Sequence, residues 1–157
     1  MLLLYFNIAT VHFARGNFNE SLKYVNKLLN DNQLDTTQDT YALSRMLDLA
    51  IHLEIGNNDL IPYTLRSVQR YLTKRNRMYK FESVFLDFVK IISKAKTEKA
   101  KKLSYSNLYT ELLNLSDDPF EKPVFENFDF LTWAESKSTG KSFSDLVLEK
   151  VKAKTNA

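Results

Sequence analysis

Residues 5–29 read YFNIATVHFARGNFNESLKYVNKLL: an apolar run, one glycine, then a second run with apolar residues every three or four positions. Tyr5, Ile8, Ala9, His12 and Phe13 fall at helical spacing before the glycine, and Leu22, Val25, Leu28 and Leu29 do so after it. Gly16, within Arg15-Gly16-Asn17, supplies the left-handed residue that closes a helix. The pattern predicts helices over Leu2–Ala14 and Phe18–Leu29, joined by a tight turn into a hairpin. Ala9 and Ser21 are small enough for the paired helices to approach closely. Tyr5, Ile8 and Phe18 would fill the wedge beside them.

Outward from this hairpin the chain continues in helical segments, with no convincing set of strands. The polar connection NDNQLDTTQD contains Thr36 and Asp39, spaced as a capping box that opens a third helix over about Thr37–Ile55. Gly56-Asn57-Asn58 stops it. A fourth helix begins near Asp59, tolerates Pro62 in its first turn and runs to about Lys74. A fifth, about Met78–Lys96, sets Phe81, Val84, Phe85, Phe88 and Ile92 on one stripe. A sixth covers about Tyr105–Leu115. Asp117, Asp118, Pro119 and Pro123 mark a loop, and two short helices follow over about Asp129–Ser138 and Ser144–Lys152.

The first hairpin resembles a tetratricopeptide repeat. Tyr5, Ile8, Ala9, His12, Phe13, Gly16, Phe18, Ser21, Val25 and Leu28 stand at the family's positions. His12 and Leu28 depart from it, where an aromatic and an alanine are usual, and Gln33 replaces the closing proline. Met46, Leu49, Ala50 and Leu53 repeat the first-helix positions at a longer interval than the family's period of about 34 residues. A third pair, Met78 to Leu115, keeps the helix alternation without the motif. FDFLTWAESK near the C-terminus is similar to the C-terminal ends of tetratricopeptide-like proteins of Bacteroidetes, which implies no activity.

Composition agrees with a helical domain. Of 157 residues, only three are glycine and three proline, few for a turn-rich β fold. The absence of cysteine removes disulfides, thiolate metal ligands and cysteine nucleophiles, and suits a reducing, cytoplasmic setting. A formal net charge of +3 does not steer the whole molecule strongly toward nucleic acid. No apolar run approaches the roughly 18 residues that span a bilayer. Because a helix opens at residue 2 with no capping residue before it, we expect further repeats upstream in a longer chain.

Gly140-Lys141-Ser142 ends like a phosphate-binding loop. That loop needs a glycine five residues earlier, where Glu135 stands, and a strand in front of it. Helix punctuation accounts for every residue instead: Gly140 closes one helix, and Ser142 with Asp145 forms a capping box for the next. His12 and His52, the only histidines, each precede their turn glycine by four residues. Without cysteine they make a thin metal site, and we expect helix residues rather than ligands.

The fourth helix carries the most suggestive charge pattern. Arg66, Arg70, Lys74, Arg75, Arg77 and Lys80 occur with no acid among them. At about 100° per residue, Ile61, Leu65, Val68 and Leu72 share one side, with Arg66, Arg70 and Lys74 nearly opposite. The lysine-rich KAKTEKAKK around residues 94–102 reads as a solvated connection. Phe120, Phe125, Phe128, Phe130 and Trp133 read as aromatics sealing the last helical pair, with a protein-binding patch as the sharper alternative.

The expected fold is all-α: a right-handed array of antiparallel helical hairpins over residues 1–116, with a divergent C-terminal cap over 117–157 in the same domain. The resemblance implies a non-catalytic scaffold, without cofactor or metal, binding a peptide or partner domain in a groove. Asn7, His12, Arg45, Asp48 and His52 are the groove candidates. The alternative is a regulatory module that meets nucleic acid or an acidic partner through the basic patch Arg66, Arg70, Lys74 and Arg77.

Overall fold

The computed structural model describes residues 2–31, 38–75 and 79–156. Among these residues there are nine α-helices and no strand, so the all-α expectation holds. They gather into two compact units, Met1–Met78 and Tyr79–Ala157. The first contains α1 (Leu2–Ala14), α2 (Phe18–Asn30), α3 (Gln38–Ile55) and α4 (Ile61–Lys74). The second contains α5 (Lys80–Ile92), α6 (Glu98–Leu115), α7 (Lys122–Asn127), α8 (Phe130–Thr139) and α9 (Phe143–Thr155). No helix among the described residues is long and apolar enough to cross a membrane.

In the first unit, α1 and α2 form the expected hairpin. Gly16 takes a φ of +77°, and Asn17 N–H returns to the His12 carbonyl at 2.9 Å. Ala9 and Ser21 are both fully buried, and the Ser21 hydroxyl donates to the Ala9 carbonyl at 2.7 Å. Small side chains thus bring the two helices into contact and one of them ties the backbones together. α3 packs against both α1 and α2 on one side and against α4 on the other. Almost every residue from Ala42 to His52 is therefore buried, Arg45 alone being half-buried. The capping box expected at Thr36 and Asp39 rests on Thr36, outside the described residues.

The second unit is held by rings. Phe81, Phe85, Phe88 and Ile92 of α5 are buried and Val84 is half-buried, as the stripe predicts. Phe85 meets Phe130 edge-on at 5.4 Å, and Trp133 meets Tyr105 and Phe88 at 5.4 and 6.2 Å. Phe128, Phe130 and Trp133 are thus core residues, whereas Phe120 is exposed. Because α6 packs along α8, the segment after residue 116 belongs with α5 and α6. The division into compact units falls after Met78.

Three other boundaries differ from expectation. α6 begins at Glu98 rather than near Tyr105, because the Thr97 side chain accepts from Ala100 N–H and caps it. The interval around Pro123 holds a short helix, α7, with the proline in its first turn. α5 spans Lys80–Ile92, less than the expected 78–96. At residues 140–142, Gly140 closes α8 with φ +79°, and the Ser142 hydroxyl accepts from Asp145 N–H at 3.1 Å. These residues are helix punctuation.

Candidate docking surface

The α4 helix is sharply two-sided. Ile61, Leu65, Val68 and Leu72 are buried at i, i+4, i+7 and i+11, anchoring the helix to α3. Pro62 sits in the first turn, where its missing N–H costs nothing because that group has no intrahelical partner. The opposite side faces an open hollow of about 750 Å³ lined by Tyr63, Arg66, Gln69, Arg70, Thr73 and Lys74.

Among the described residues, three that line it are cations and none is an acid. Among the described residues, no carboxylate forms an ion pair with Arg66, Arg70 or Lys74. Successive cations are four residues apart, about 6 Å along the axis. Tyr63 is 68% exposed, and the Arg66 guanidinium lies 5.0 Å from the centre of its ring. Thr73 donates to the Gln69 carbonyl at 2.7 Å. Neighbouring like charges with no internal counter-charge repel one another, and an incoming anion relieves that repulsion.

No family model, curated protein or solved structure matches the chain.

The rest of the expected basic patch is distributed differently. Arg75 has turned inward: its side chain is 3% exposed and lies 4.0 Å from Asp39. Arg77 is outside the described residues. Lys80 opens α5 in the second unit, where its exposed side chain leaves its backbone N–H to Glu121.

The expected groove residues do not form one open surface. Asn7 is exposed on α1, and His12 is half-buried and stacked on Tyr24 at 5.8 Å. Arg45 donates to the Ser67 hydroxyl at 3.2 Å and lies over the rings of Tyr41 and Tyr71, fastening α3 to α4. Asp48 and His52 are each 8% exposed. They meet each other at 3.4 Å through Asp48 Oδ1 and His52 Nε2, while the Asn57 amide lies 3.2 Å from Nδ1. For Asp48 and His52 the cause is the position of α3, which packs against α1, α2 and α4.

Reading charges alone missed Tyr63, Gln69 and Thr73. The available signal was spacing: Tyr63 stands three residues before Arg66 and seven before Arg70, on the same helical ridge.

Proposed function

We propose that the protein is a non-catalytic interaction scaffold of stacked helical hairpins that docks an acidic segment of a partner protein on the exposed face of α4. The observation that carries this reading is the hollow lined by Arg66, Arg70 and Lys74 beside Tyr63, with no acid lining it among the described residues. Its volume falls within the roughly 300–1,000 Å³ of ligand clefts. Its openness to solvent suits a chain segment lying along the helix. Burial of Ile61, Leu65, Val68 and Leu72 fixes the helix beneath, so little ordering of the receptor opposes binding.

The fully buried Ala9–Ser21 contact and the seating of α3 against both α1 and α2 support stacking of a tetratricopeptide-like kind. That stacking makes the first unit the platform, and α4 its docking helix.

The test is fluorescence anisotropy with a labelled glutamate-rich peptide. Binding should weaken steeply from low salt to about 0.3 M salt, as exposed charges are screened beyond a Debye length under about 10 Å. The double reversal Arg66→Glu/Arg70→Glu should remove it. Undiminished peptide binding by the double variant would refute the assignment, and tighter binding of single-stranded RNA would replace the acidic peptide with a nucleic acid.

A further inference from the structure

We infer that the α4 surface selects a phosphorylated serine or threonine in the acidic segment, rather than carboxylates alone. This rests on the docking reading above and specifies its chemistry. The Tyr63 ring holds the Arg66 guanidinium 5.0 Å from its centroid. A guanidinium that stacks on an aromatic face keeps its in-plane N–H groups available. Such a fork matches two oxygens of a phosphate or a carboxylate with parallel hydrogen bonds, whereas an ammonium acts as a point charge, and a phosphate adds a third acceptor oxygen and more negative charge.

Arg70 brings a second fork one turn along the same hollow. Two forks can share the three acceptor oxygens of a phosphate monoester. The charges also balance. A phosphoseryl group carries about −1.5 to −2 at neutral pH, so with one neighbouring carboxylate it offsets the three lining cations. Lys74, a turn beyond Arg70, is placed for that carboxylate.

The experiment compares three labelled seven-residue peptides flanked by glutamates, with phosphoserine, serine or glutamate at the centre. The phosphopeptide should bind at least about tenfold tighter than either twin, a difference of about 1.4 kcal/mol. Arg66→Lys keeps the charge but loses the fork. It should cut that preference to about two- or threefold, with binding of the glutamate twin weakened less than that of the phosphopeptide. Tyr63→Leu, which removes the ring, should weaken phosphopeptide binding by about two- to fivefold. Both positions are exposed, and unchanged circular dichroism and melting will verify that the variants fold.

Equal wild-type affinity for the phosphoserine and glutamate peptides, both lost on reversing Arg66 and Arg70, overturns the phosphate inference while acidic docking stands. Binding of none of the three peptides overturns both. Tighter binding of phosphoinositide vesicles than of the phosphopeptide also overturns it.

Discussion

The Glu121 carboxylate caps a helix 40 residues away in sequence: Oε1 accepts from Lys80 N–H at 2.7 Å and Oε2 from Phe81 N–H at 3.2 Å. It is 1% exposed. The first N–H groups of a helix have no partner within it, and a buried anion there satisfies them and complements the helix dipole. The arrangement locks the start of α5 to the segment entering α7. Glu82 completes it locally by accepting from Tyr79 N–H at 3.2 Å.

Glu121→Gln keeps the shape but replaces one acceptor oxygen with a donor that faces another N–H. It should lower stability by about 1–3 kcal/mol in urea denaturation. An unchanged midpoint would show that the cap contributes nothing.

Ala9→Leu should cost about 1–3 kcal/mol, since the added methylenes have no space between α1 and α2. Ser21→Ala, which keeps the close approach and removes only the hydrogen bond to the Ala9 carbonyl, should cost about 1 kcal/mol. Thermal melts compare the two. A smaller loss for Ala9→Leu than for Ser21→Ala would place the close contact elsewhere.

Gly16→Ala isolates backbone strain from crowding. The glycine has φ +77°, and nothing lies within 4 Å of the position a Cβ would occupy. The expected loss is about 1–2 kcal/mol from the left-handed conformation alone. A change to asparagine, which tolerates that region better, should recover part of it, as calorimetry will show.

Arg45 and Arg70 make a paired test of scaffold against surface. Arg45→Gln removes the contact to Ser67 and the packing on Tyr41 and Tyr71, so it should lower the melting temperature yet leave acidic-peptide affinity within about twofold. Arg70→Glu should leave the melting temperature unchanged and abolish peptide binding. The opposite pattern would put the docking surface on α3.

Where expectation and structure diverged, local pattern was the cause. The first two turns of α6, rich in lysine, carry no apolar stripe for periodicity to detect, and the Thr97 cap alone announces its start. Pro123 reads as a loop residue beside Asp117, Asp118 and Pro119, yet it fits the first turn of α7 as Pro62 fits that of α4. The two-sidedness of α4 is legible in the sequence, because its buried and charged sides are both written within fourteen residues.

By itself the sequence determined most of the helices, their glycine stops and which residues share a face, because spacing and backbone preference act over a few residues. Tertiary structure alone decided which faces are covered. α3 disappears between α1, α2 and α4, taking Asp48 and His52 with it, and Arg75 turns in toward Asp39 while Arg66, Arg70 and Lys74 stay in solvent. Helical periodicity specifies a direction around an axis; only the arrival of distant segments determines what that direction meets.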